Sequence, residues 1–163
     1  MKQYFYLAYG SNLDFTQMRL RCPGSTYLGS GFLKGELSFK GQSNNAHCTV
    51  DLNKKRKSFP VGIFLITEQD LRNLDRYEGY PRYYHKEMIT PRRVTLTQWY
   101  YKDVKLKDAI IYVMNDNFNY GLPSAGYTLT VNRGYSCCGF NKKFLQEAYD
   151  LSKREYLKLC KRN

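Results

Sequence analysis

Two short stretches of this sequence hold residue types at spacings that could do chemistry. The first is Leu7-Ala8-Tyr9-Gly10-Ser11-Asn12-Leu13. A strand that feeds a Gly-Ser-Asn turn into a helix leaves backbone N–H groups without intrahelical partners. Together with the positive end of the helix dipole, those groups favour an anion. Gly10 allows close approach, and Ser11 and Asn12 can each add a side-chain hydrogen bond. A carboxylate or phosphate would fit, although the same residues also make an ordinary N-cap. The second stretch is Leu71-Arg72-Asn73-Leu74-Asp75-Arg76-Tyr77-Glu78-Gly79. On a helix Leu71, Leu74, Asp75 and Glu78 share one face, so Glu78 is expected to point inward. It also falls in the last turn, where helix carbonyls repel negative charge. Burial and dipole both disfavour the ionised carboxylate, so its pKa should rise toward the range a proton shuttle needs. The alternative is a frayed last turn that leaves Glu78 in water beside Arg76 or Arg82.

Other catalytic patterns are missing from the sequence. It has no G-x-S-x-G, P-loop, G-x-G-x-x-G or H-E-x-x-H. Of the two histidines, His85 is expected on the surface or in the core rather than in catalysis, and His47 has still less claim to a role. The five cysteines form no C-x-x-C pair and no even framework. A reduced, cytoplasmic and metal-free chain is the expectation.

The elements that must position these residues follow from periodicity. Gln3–Tyr9 reads as a strand apolar on both faces, followed by the turn and a helix carrying Leu13, Phe15, Met18 and Leu20 up to Cys22-Pro23. Strands are expected over Thr26–Leu33 and Glu36–Phe39. Cys48–Leu52 and Phe59–Ile66 read as a hairpin around the basic loop Asn53–Lys57. Thr67 caps a helix with acids in its first turn that stops at Gly79 before Pro81. Tyr84–Thr90 and Ala109–Met114 are further strands, joined by a polar, aromatic excursion. Ser124 opens a helix running through Asn132 and closed by Gly134, and Asn141–Lys161 is a terminal helix. At 163 residues the chain reads as a single domain over residues 1–163. Its expected class is α+β, with the strands wrapped into a mixed β-barrel flanked by helices.

The charge is unusual: 26 Lys and Arg stand against 14 Asp and Glu, a formal +12. That balance raises nucleic acid as a partner, through a basic strip including Lys54–Lys57, Arg92 and Arg93. Yet no RNA-binding signature accompanies it. Much of the excess sits in the 53–57 loop and in residues 141–163, away from both chemical stretches, so nucleic acid is not expected to define function. No apolar stretch approaches the roughly 20 residues of a membrane span, and no signal peptide is evident.

Tyr9-Gly10-Ser11-Asn12-Leu13, Arg21-Cys22-Pro23, Leu74-Asp75-Arg76-Tyr77-Glu78-Gly79-Tyr80-Pro81 and Tyr84 resemble the gamma-glutamylcyclotransferase family, including its avirulence-induced-gene-like members. The Tyr127 region, Gly134-Tyr135 and Gly139-Phe140 are similar to that family's C-terminal segment. The resemblance implies that the turn lies at the mouth of a cavity and holds the substrate α-carboxylate. It implies Glu78 as acid/base, with Tyr84 and Tyr127 lining the cavity. The activity implied is cyclisation of a γ-glutamyl amide to 5-oxoproline with release of an amine or amino acid, with no cofactor or metal. The leaving group stays open; Trp99, Tyr100 and Tyr101 could line a groove for a bulky one, or simply pack on a strand. The rival reading is a binding module that captures an anionic small molecule or nucleotide without turnover, and an inward Glu78 is what separates the two.

Overall fold

The computed structural model describes residues 2–162. Six strands form one mixed sheet: β1 (Gln3–Ala8), β2 (Thr26–Lys34), β5 (Ser58–Thr67), β6 (Tyr84–Ile89), β7 (Val94–Trp99) and β8 (Ala109–Met114), in the order β6-β8-β1-β5-β2-β7. β1 runs parallel to β8 and antiparallel to β5. β8 is buried along its whole length, as a strand covered on both faces must be. β3 (Glu36–Gln42) and β4 (Asn45–Asp51) form a separate two-stranded ribbon. The helices are α1 (Phe15–Arg21), α2 (Glu68–Tyr77), α3 (Ala125–Cys137) and α4 (Lys143–Cys160).

The α+β class holds, but the sheet does not close into a barrel. β6 and β7 are its two edges. Side chains tie the β3–β4 ribbon to the sheet: Thr49 Oγ1 accepts from the Met114 amide of β8, and the Tyr84 hydroxyl of β6 donates to the Cys48 carbonyl. The expected pairing of Cys48–Leu52 with Phe59–Ile66 is also replaced. β4 pairs with β3, while β5 is taken on both sides by β1 and β2. The aromatic excursion supplies β7, which pairs with β2 at the sheet edge.

Local signals set the helices. α2 starts with a capping box, Thr67 accepting from the Asp70 amide while Asp70 accepts from the Thr67 amide; such a cap contributes about 1 kcal/mol. It ends at Gly79, whose φ of 62° suits a residue without Cβ. α1 is shorter than its spacing suggests. Ser11–Leu13 form a separate 3-10 turn, Asp14 restarts the chain as N-cap, and Leu20 faces solvent. α3 runs past Gly134 to Cys137, so Gly134 is not a stop signal. A Cβ there would lie 2.6 Å from both Leu13 Cβ and the Asp14 nitrogen. The missing side chain lets α3 lie directly on the 3-10 turn. Arg133 Nε fixes the contact with a 2.8 Å ion pair to Asp14, whose carboxylate is buried and needs a partner. Through Ser152, which accepts from the Phe39 amide, α4 is held against β3.

Candidate active site

A cavity of about 460 Å³ opens where the β3–β4 ribbon, the end of α2 and the ends of β6 and β8 meet. Ser11, His47, Tyr77, Glu78, Tyr84 and Tyr127 line it, with Tyr83, Met114 and Phe118 toward its outer wall. Behind it lies a chamber of about 30 Å³ walled by Tyr6, Tyr9, Gly10, Asn12, Cys48 and Tyr112. Ser11, Glu78, Tyr84 and Tyr127 belong to both spaces.

Glu78 sits at this junction. It is the C-cap of α2, its amide bonded to the Leu74 carbonyl at 2.8 Å, so its direction is fixed by the helix. Its Oε1 accepts from Asn12 Nδ2 at 3.0 Å. Burial pushes its pKa up to about 7, against the opposing pull of the Arg21 guanidinium and the Asn12 hydrogen bond. The carboxyl therefore divides between its two forms near neutral pH. The frayed-turn alternative fails, since the side chain meets Asn12 rather than Arg76 or Arg82.

The turn is ordered by Arg21. Its Nη1 donates to the Ser11 hydroxyl at 3.1 Å and to the Asn12 side-chain oxygen, and its guanidinium stacks 3.4 Å above the Tyr77 ring. Holding the oxygen of Asn12 turns its amide nitrogen toward Glu78 and the Tyr6 hydroxyl, 2.7 Å away. Among the described residues the amides of Gly10, Ser11 and Asn12 have no hydrogen-bond acceptor, whereas the Leu13 amide is bonded to the Gly10 carbonyl. Leu13 does not reach the cavity. Its side chain is fully buried, close to Gly62 and Gly134.

The tyrosines differ in what their hydroxyls have left to give. Burial pushes the pKa of Tyr6, Tyr9, Tyr84 and Tyr127 well up, so all four stay protonated. Tyr9 donates to the Tyr112 carbonyl and Tyr84 to the Cys48 carbonyl, which commits their protons. Tyr6 accepts from Asn12, and Tyr127 accepts from the Cys48 amide at 3.0 Å. Those two keep an O–H free to meet developing negative charge.

His47 lies in the cavity wall, a position the sequence does not signal. Its ring packs edge-on to Tyr127 at 4.7 Å in the cavity wall, and burial lowers its pKa. No motif surrounds it; only the β3–β4 pairing brings it there. His85 instead contacts Asn115 and Glu87, outside the cavity. Trp99 ties down its own strand end by donating to the Tyr101 and Val104 carbonyls, and lines neither space. Lys55 and Arg93 border a different, polar cleft. Among the described residues no three His, Cys, Asp or Glu side chains converge to hold a metal, and no helix is long and apolar enough to cross a membrane.

A buried carboxyl poised near neutrality, beside unpaired amides and free hydroxyls, can bind a carboxylate, move a proton and stabilise an oxyanion. A family model described as gamma-glutamyl cyclotransferase, AIG2-like, matches residues 6–129. No curated protein matches the sequence. Among solved structures the chain is similar to a gamma-glutamyl cyclotransferase, at TM-score 0.73 and 18% identity over 90% of this chain and 86% of that one. It is similar to an uncharacterized protein from Homo sapiens at TM-score 0.72 and 20% identity, over 91% and 87% of the two chains. YkqA from Bacillus subtilis matches at TM-score 0.69 and 16% identity, over 94% of this chain and 55% of that one. At such identities the likeness is one of fold.

Proposed function

Because the chain belongs to the gamma-glutamyl cyclotransferase, AIG2-like family, we propose that it cyclises a γ-glutamyl amide to 5-oxoproline and releases the attached amine or amino acid, with Glu78 as acid/base. The observation that carries this reading is the Glu78 carboxyl, buried at the junction of the two spaces with its pKa near 7.

The substrate brings its own nucleophile, the α-amino group, and needs no further one. Amides of the Gly10–Asn12 turn hold the α-carboxylate, which folds the glutamyl arm so that its α-nitrogen faces its side-chain carbonyl. Such orientation can supply most of the rate acceleration. Glu78, ionised, takes one proton from the α-ammonium. The freed amine attacks the γ-carbonyl carbon, and the oxyanion that forms is met by the Tyr6 or Tyr127 hydroxyl. Glu78 passes its proton to the leaving nitrogen as that C–N bond breaks. The second proton of the ring nitrogen follows by the same route, so the lactam nitrogen ends neutral, 5-oxoproline departs as its carboxylate, the amine departs as an ammonium, and Glu78 ends as it began. The free state of all five cysteines suits a reducing, cytoplasmic setting.

The test is incubation with a panel of L-γ-glutamyl amides and chromatographic detection of 5-oxoproline. Turnover by the wild type that disappears in Glu78→Gln supports the reading. No 5-oxoproline from any member, or equal turnover by the variant, overturns it.

A further inference from the structure

The two spaces joined at Glu78 are chemically unlike. The inner one is a polar chamber of hydroxyls and amides, while the outer one sets an aromatic and apolar wall beside the polar Gln42, Asn45 and His47. On the outer wall Tyr83 and Phe118 stack at 5.6 Å between ring centroids, with Met114 beside them. Glu78 is the only acidic side chain lining that space among the described residues, and Arg76 is the only basic one apart from His47. Arg76 is exposed and, among the described residues, has no ion pair and no side-chain hydrogen bond. The inner chamber is too small for a glutamyl arm, so an arm whose carboxylate meets the Gly10–Asn12 amides lies at the junction beside Glu78 and projects its leaving amine into the outer space. This inference rests on the cyclotransferase reading above.

We propose that the outer space selects γ-glutamyl conjugates of aromatic amino acids, the ring lying against Tyr83, Phe118 and Met114 and the carboxylate of the leaving amino acid pairing with Arg76. Aromatic walls reward a flat apolar body through burial and edge or offset contacts. An unpaired guanidinium at the rim of a space whose only acid is Glu78 favours an anionic group over a cationic one, and the chain's net charge of +12 acts in the same direction. A conjugate whose leaving group is the ε-amine of lysine would bring a zwitterionic α-carbon, its ammonium beside its carboxylate, and no ring into this rim. A small leaving group such as alanine would leave the aromatic wall unused.

Four conjugates separate these contributions: γ-glutamyl-phenylalanine, γ-glutamyl-alanine, Nε-γ-glutamyl-lysine and γ-glutamyl-phenethylamine, which keeps the ring and lacks the carboxylate. Formation of 5-oxoproline gives kcat/KM for each. Calorimetric titration of the Glu78→Gln protein ranks their binding without turnover. The phenylalanine conjugate is expected to exceed the alanine and lysine conjugates by about tenfold or more, the range a large apolar group in a pocket provides. Phe118→Ala should shrink the phenylalanine-to-alanine ratio. Arg76→Gln should erase the difference between the phenylalanine and phenethylamine conjugates. An alanine conjugate processed as fast as the phenylalanine one overturns the proposal while leaving the cyclotransferase reading intact. So does a lysine conjugate that is processed fastest, which would make the aromatic wall a cation cage. If no conjugate yields 5-oxoproline, the cyclotransferase reading falls, and the binding order then decides the selectivity of the outer space by itself.

Discussion

The Asn12 side-chain nitrogen and Glu78 Oε1, 66 positions apart in sequence, are 3.0 Å apart in space. This bond ties the β1–α1 turn to the end of α2. It also fixes which face of Asn12 meets the carboxyl, since an amide nitrogen can only donate. It favours the carboxylate, and burial favours the acid; burial wins, and the pKa stands near 7.

Glu78→Gln keeps the shape and the possible bond to Asn12 but cannot move a proton. Activity should fall by about 10²-fold or more, the usual worth of a positioned acid/base, with the circular dichroism spectrum unchanged. The variant should also be the more stable protein above neutral pH. Glu78 has a folded pKa above its unfolded one, so the wild type binds more protons when folded between about pH 4.5 and 7. Wild-type stability therefore declines across that window as pH rises, by up to about 3 kcal/mol. Urea denaturation at pH 5 and pH 8 should show a smaller decline in the variant; identical slopes would contradict the burial of the charge.

Turnover should lose its acid limb through Glu78. The base form halves at about pH 7 and is nearly absent two pH units lower, so kcat/KM measured from pH 5 to 9 should climb with a midpoint near 7. Arg21→Met removes the cation that holds the Glu78 pKa down and releases the oxygen of Asn12. The midpoint should move to higher pH in that variant. A lower kcat with an unmoved midpoint would assign Arg21 a purely structural part.

Gly134→Ala should destabilise the fold by about 1–3 kcal/mol, the cost of overpacking a tight contact. The added methyl would lie 2.6 Å from Leu13 Cβ and the Asp14 nitrogen, with backbone on one side and little room to shift. Chemical denaturation measures it directly, and a neutral result would mean that α3 is not seated on the turn as described.

Tyr127→Phe removes the oxygen that accepts from the Cys48 amide. A buried donor left without an acceptor costs about 1–3 kcal/mol. The hydroxyl proposed to face the oxyanion goes with it, so kcat should fall more than KM changes. Steady-state kinetics alongside a melting curve separates the two effects; a stable, fully active variant would remove Tyr127 from both accounts.

Much of the site could be read in the sequence because its two halves are local. The strand-to-turn junction at Tyr9–Asn12 and the capped α2 ending in Glu78-Gly79 each carry their signal within about a dozen residues. β8 and the Thr67 cap were legible for the same reason. What was not legible depends on pairings between distant segments. β4 and β5 look like a hairpin because both are strand-like and adjacent, but β5 has ladder partners on both sides, which leaves β4 to β3. That choice carries His47 into the cavity. Gly134 looked like a helix stop because glycine usually is one, and its use as a contact surface is visible only with Leu13 opposite. Arg21 stands in a recognisable Arg-Cys-Pro motif, but its hold on Asn12 arises only when the turn folds back over α1.

α3 is fastened at two places on two different walls. Near its start Tyr127 receives the Cys48 amide of the ribbon; near its end Gly134 and Arg133 are seated on the turn that carries Asn12. The helix thus acts as a brace across the mouth, setting the gap between parts that share no backbone ladder. Heat or denaturant that slackens this brace would open the cavity while the six-stranded sheet still stands, so loss of catalysis would precede loss of the fold.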